Sequence, residues 1–135
     1  MELHLLPGTV DVHRFPPDAP VPAPPAGAPL WAALRSPDEL TVVTPVAEAA
    51  ADRTSPGWSV LTVTGPLAHD LVGVLADLSA CLAAAGVPIF ALSAFATDHL
   101  LVPAARAGDA VTALRAGGHR VLPERAEPPQ AAEAD

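Results

Sequence analysis

The run Trp58-Ser59-Val60-Leu61-Thr62-Val63-Thr64 is apolar on alternate positions and rich in β-branched residues, and it lies between Gly57 and Gly65-Pro66. Successive side chains of a strand point to opposite faces, so this pattern predicts a strand that ends at the Gly-Pro pair. The period then changes. Leu71, Val74, Leu75, Leu78 and Leu82 recur at intervals of three and four, the spacing of one helical face, with Asp70 placed to cap the helix and Gly86 to stop it in the left-handed conformation. Two short apolar runs, 87–95 and 99–102, flank Ala96-Thr97-Asp98 and predict an antiparallel hairpin. Pro103 suits the first turn of a second helix with Val111 and Leu114 inward; Gly117-Gly118 closes it, and His119–Leu122 supplies a last strand. The order over 58–122 is β-α-β-β-α-β, an α+β arrangement of the ferredoxin-like kind that hosts many unrelated functions.

The first third of the chain repeats this organisation in shortened form. Residues 2–6 and 9–15 bracket Pro7-Gly8, and Val10 and Val12 alternate with Asp11 and His13, which predicts a hairpin with one wet face. The proline-rich stretch 16–25 reads as an extended spacer. Residues 30–35, between Pro29 and Ser36-Pro37, read as a short helical turn, and 38–45 as a turn into a strand. The expected organisation is a degenerate half over 1–50, a connector over 51–57, a complete unit over 58–122 and a mobile tail over 123–135. The first half is marginal for independent folding, so the two halves are expected to share a sheet or core.

Composition narrows the partners. Half of the 135 residues are hydrophobic, enough for a core, only 16% are charged, and the formal net charge is -8. Without a Lys/Arg cluster, neither nucleic acid nor an anionic membrane is an expected partner. No apolar run reaches the length of a membrane span and the first residues lack a secretory pattern, so a cytoplasmic protein is expected.

Little of the sequence points to catalysis. His4, His13, His69, His99 and His119 are scattered, without paired helical spacing or a Cys/His cluster, so no metal is expected. Cys81, between Leu78 and Leu82, has no evident base or partner thiol and reads as a small hydrophobe. The serines carry no nucleophile-elbow glycines, and Gly65 and Gly73 come without a P-loop lysine. Neither an enzyme nor a cofactor is expected. Asp98, at the mouth of the hairpin between two apolar runs, fits a turn residue bonding its own backbone and also a ligand contact; spacing alone favours the turn.

Several of these stretches together resemble a known family. Gly65-Pro66-Leu67, the helix up to Gly86, Ile89-Phe90-Ala91-Leu92-Ser93 and Phe95-Ala96-Thr97-Asp98-His99-Leu100-Leu101-Val102-Pro103 are similar to the ACT domains of the CASTOR type, amino-acid-sensing relatives of aspartokinase regulatory domains. The resemblance implies a non-catalytic, ligand-binding regulatory protein that acts as a homodimer and is read by a partner enzyme or regulator. It implies that Asp98 engages an amino-acid ligand and that the Gly-Pro-Leu loop closes over it. The implied pocket is Ala68, His69, Leu71, Val72 and Leu75 from the loop and helix start, Ala94, Phe95 and Asp98 from the hairpin, and Val87, Pro88 and Ile89 as the wall supplied by a paired unit. An anionic side chain suits an ammonium or guanidinium group, and a helix N-terminus suits a carboxylate. Leu71 stands where the arginine-sensing members carry an acidic residue and Ala94 where they carry threonine, so an apolar or aromatic amino acid fits as well as arginine. His69 fits either a solvent-facing loop residue or a ligand contact. The alternative is an ACT-like interaction or assembly module without a ligand.

Overall fold

The computed structural model describes residues 1–123, and the expected tail at 123–135 lies, beyond Pro123, outside the described residues. Its central element is a strand of eleven residues, β5 (Arg53–Val63), longer than the alternation at 58–64 predicts. Before it come β1 (Glu2–Leu5), β2 (Val10–Phe15), β3 (Ala32–Arg35) and β4 (Leu40–Thr44). After it come α1 (Val74–Ala84), β6 (Phe90–Ser93), β7 (Asp98–Pro103), a 3-10 turn at Ala104–Arg106, α2 (Ala107–Ala116) and β8 (Arg120–Leu122). The expected β-α-β-β-α-β order is therefore present, with the mixed α+β, ferredoxin-type architecture.

β1 and β2 run antiparallel along one edge of β5, with Leu3 opposite Val63 and Val10 opposite Trp58. β7 runs along the other edge, with Thr62 opposite His99, and pairs outward with β6. β8 lies parallel to β1 rather than beside β5. Thus β1, from the first half, is inserted between two strands of the second, and both halves share one eight-stranded sheet. The stretch 53–57, expected as connector, is the part of β5 that pairs with β2.

Alternation along β5 builds a core on each face. Leu61 and Val63 join Leu3, Leu100, Val102 and Val121 beneath Leu78 and Leu82 of α1 and Ala110 and Leu114 of α2. Val60 joins Val10, Val43 and Leu101 on the opposite face, with Trp58 and Leu92 packed against them. A third cluster, Phe15, Leu40 and Val42 with Trp31, closes the far end of the sheet.

Two local expectations fail for physical reasons. Residues 32–35 form a strand, not a helical turn: Ala32–Arg35 pair with β4, and so short a segment between proline-containing stops gains more backbone hydrogen bonds from a neighbouring strand than from a single turn. α1 starts at Val74, not after Asp70. Gly73 takes φ +85, a conformation that L side chains rarely adopt, and the helix has no side-chain cap. Its far end is as expected, since Gly86 at φ +70 lets the Val87 N–H reach the Leu82 carbonyl at 3.0 Å and the Gly86 N–H reach that of Ala83 at 3.0 Å.

Candidate functional site

After β5 the chain turns at Gly65 and lies against the tip of the β6–β7 hairpin. The Leu67 N–H donates to the Ala96 carbonyl at 2.7 Å, and Thr97 Oγ1 donates to the Val63 carbonyl at 2.5 Å. The tip itself is held by Ala94 N–H to Thr97 O, 2.9 Å. Gly65 is required by this approach, because a Cβ there would stand 2.9 Å from the Ala96 carbonyl oxygen and 3.2 Å from Thr97 Cβ. Gly65→Ala is therefore expected to push loop and hairpin apart and destabilise the protein by about 1–3 kcal/mol, read as a lower unfolding midpoint; an unchanged midpoint would contradict the close approach.

His69 makes a further tie. Its Nε2–H donates to the Phe95 carbonyl at 2.6 Å and its ring meets the Phe95 ring edge-on, centroids 4.5 Å apart at 87°. Loop and hairpin thus enclose a concavity of about 400 Å³. Of the expected residues, Ala68, His69, Leu71, Ala94, Phe95 and Asp98 line it, joined by Leu67, Val74, Ala96 and Thr97, which sequence reasoning missed.

The other expected residues lie elsewhere in the chain. Because α1 starts late, Val72 stays in the loop and is 91% exposed. Leu75 and Ile89 pack on the helix-side core, Val87 is buried in it, and Pro88 is exposed. Val87, Pro88 and Ile89 were expected as a wall supplied by a second unit, and within one chain they stand outside the concavity.

Asp98 is half-buried at the first position of β7 and, among the described residues, has no side-chain hydrogen bond or ion pair. Val74, the first residue of α1, lines the same concavity, so the uncapped first turn, with its orphan N–H groups and the positive end of the helix dipole, opens beside it. An anionic group and a helix N-terminus thus border one space whose walls, Leu67, Leu71, Val74 and Phe95, are apolar. The arrangement can hold a small molecule with a cationic and an anionic group.

The opposite face of the sheet carries a row in which His4, Thr62 and His99 stand side by side on β1, β5 and β7. Thr62 Oγ1 and His99 Nδ1 share a hydrogen bond of 2.8 Å, and a concavity of about 760 Å³, walled by His4, Thr62 and the turn at Gly27–Pro29, lies beside them. Burial pushes the His99 imidazole below its ordinary value, while the Asp98 carboxylate pulls the other way. A histidine held neutral by folding contributes fully above its unfolded value of about 6.5, and that contribution is lost as the pH falls below it. His99→Gln is expected to flatten the decline in melting temperature as the pH falls below about 6.5. An identical pH profile in the variant would rule out this coupling.

One grouping has no counterpart in the sequence spacing: Asp77, Cys81 and His119 come together where the end of α2 returns to α1.

Residues 53–116 match the ACT domain family. Protein Atu0741 from Agobacterium tumefaciens is 29% identical to this chain, covers 96% of it and 97% of its own length, and superposes with a TM-score of 0.83. A structure of aspartokinase alpha and beta subunits is similar at 13% identity over 87% of this chain and 97% of that one, TM-score 0.60. The ligand-free regulatory subunit of aspartate kinase from Thermus thermophilus is similar at 14% identity over 82% and 93%, TM-score 0.57. ACT domains are regulatory small-molecule-binding modules. Residues 53–116 are thus similar to ACT domains, and the chain as a whole shares its ferredoxin-type fold with these aspartokinase structures.

Proposed function

We propose that this chain is a non-catalytic regulatory protein that binds an amino acid in the concavity between the Gly65–Gly73 loop and the β6–β7 hairpin. The observation that carries this reading is the unpaired Asp98 carboxylate bordering the same space as the uncapped start of α1. Asp98 would accept from the ammonium group and the first N–H groups of α1 would donate to the carboxylate, both charge-assisted contacts. Leu67, Leu71, Val74 and Phe95 favour an apolar or aromatic side chain.

The rim supports a homodimer. Phe95 is 86% exposed, and Leu71, which lines the same concavity, is also exposed, a pair of large apolar groups that a second copy would cover. Of the wall expected from that copy, Pro88 is exposed and is the residue proposed to face the site, whereas Val87 is buried in its own core and Ile89 packs against it. Ligand ordering of the loop would then favour one dimer geometry, which a partner enzyme or regulator could read. No helix among the described residues is long and apolar enough to cross a membrane, and we place the protein in the cytoplasm.

The same exposed apolar rim favours a second reading, an assembly module that has lost its ligand. Calorimetric titration of the folded protein with the common amino acids separates the two. Saturable binding of one chemical class supports the sensor, whereas no heat from any amino acid, with a stable dimer in sedimentation, supports the assembly module.

A further inference from the structure

Asp77 and Cys81 are four residues apart on α1 and so share one helix face. His119 reaches them through the end of α2. Gly118 at φ +90 turns the chain so that the Gly118 N–H reaches the Arg115 carbonyl and the His119 N–H that of Leu114, each at 3.0 Å. One carboxylate oxygen, the thiol sulfur and one ring nitrogen then lie within 4.8 Å of one another. The His119 side chain is only 4% exposed, and its Nε2, though 3.1 Å from Asp77 Oδ2, is poorly aligned and makes no hydrogen bond. A buried polar atom left without a partner costs about 1–3 kcal/mol, so the nitrogen is aimed into the cluster at a price that a ligand would remove. Its Nδ1 faces the Met1 amino group at 3.0 Å. Gly117 keeps the wall open on the other side, since a Cβ there would overlap Cys81 Sγ.

We propose that Asp77, Cys81 and His119 bind a divalent cation of the zinc class, with water as the fourth ligand. A thiolate, an imidazole and a carboxylate are the donors zinc takes, and the sulfur and nitrogen select against magnesium and calcium. Tetrahedral zinc places its donors on the order of 3.5 Å apart, so the three groups, within 4.8 Å of one another, need to close by up to about 1.3 Å. Asp77 is 63% exposed and free to rotate towards the others. Binding forms bonds from the metal to sulfur, nitrogen and oxygen; the thiol proton is released, the ring proton moves from Nε2 to Nδ1, and the Met1 ammonium facing Nδ1 gives up a proton to solvent so that its amine accepts from Nδ1–H, leaving the two anionic ligands to balance the charge of the ion. The ion would tie α1 to the junction of α2 and β8. This site shares no residue with the proposed amino-acid site and stands independently of it.

Cobalt is the probe, with untagged, reduced, chelator-treated full-length protein. One equivalent of Co²⁺ is expected to give a thiolate-to-metal charge-transfer band in the near ultraviolet and the intense visible bands of a tetrahedral site, both erased by stoichiometric Zn²⁺. Cys81→Ser, folded by circular dichroism, should lose the charge-transfer band. Asp77→Asn, at an exposed position, should weaken Zn²⁺ binding at least as much as the roughly 10- to 100-fold that outer-shell changes cost. Absence of the charge-transfer band in the wild type, or equal Zn²⁺ affinity in wild type and Cys81→Ser, would overturn the proposal and leave a His119–Asp77 ion pair beside a packed cysteine.

Discussion

Asp98→Ala is expected to weaken binding of the amino-acid ligand about 10- to 100-fold while leaving the melting temperature of the unliganded protein nearly unchanged. A hydrogen bond to a charged group contributes about 1.5–3 kcal/mol, and 1.4 kcal/mol is about a factor of ten in affinity. Asp98 is half-buried and unpaired, whereas its backbone stays paired opposite Ser93 whatever the side chain, so the fold has little to lose. Asp98→Asn keeps the shape and removes the charge, so a similar loss in both variants assigns the effect to charge. Calorimetry measures it, and wild-type affinity in both variants would show that the ligand ammonium is held elsewhere.

Leu61→Ala is expected to cost about 2–5 kcal/mol and to lower the melting temperature by on the order of 10 °C. Leu61 is fully buried at the centre of β5, opposite Leu5 on one side and Leu100 on the other, within the cluster that receives both helices. β5 also carries β2, so the loss is expected to fall on the whole sheet at once. Trp31 packs at the far end of the first half and Trp58 stands on β5, so fluorescence, reporting both, should follow one transition that coincides with circular dichroism. Two separated transitions would contradict the shared sheet.

The period-two and period-three-to-four patterns were sufficient for the second half, where β5, α1, the hairpin, α2 and β8 follow in the expected order. What periodicity does not carry is a partner. Arg53–Gly57 includes Pro56 and Gly57, poor strand residues, yet it pairs because β2 lies alongside. Residues 32–35 have no helix to join but do have β4. Asp70 carries the chemistry of a cap, but Gly73 sets where α1 begins, which leaves Leu71 at the concavity and Val72 in solvent. The insertion of β1 between β5 and β8 is purely tertiary and has no local signature.

The candidate site was legible only in part, for the same reason. The hairpin tip and the Gly65 loop are about thirty residues apart, and nothing in their spacing brings Ala96 onto Leu67 or His69 onto Phe95. Resemblance placed Ala68, His69, Leu71, Ala94, Phe95 and Asp98 at one site, and these six line one concavity. Val74 and Leu75 both pack against the helix-side core, and of the two only Val74 also reaches the concavity. Cys81 and His119 are too far apart in the chain for any ligand spacing to reveal them.

The most direct test of the central claim is an amide NMR spectrum of the isotopically labelled protein before and after addition of a pool of the common amino acids. The account predicts shifts concentrated at Ala68, His69 and Val74 and at Phe95–Asp98, with the remaining amides largely unmoved. Unmoved amides at those positions, or shifts confined to the surroundings of His4, Gly27 and Thr62 on the opposite face, would contradict it.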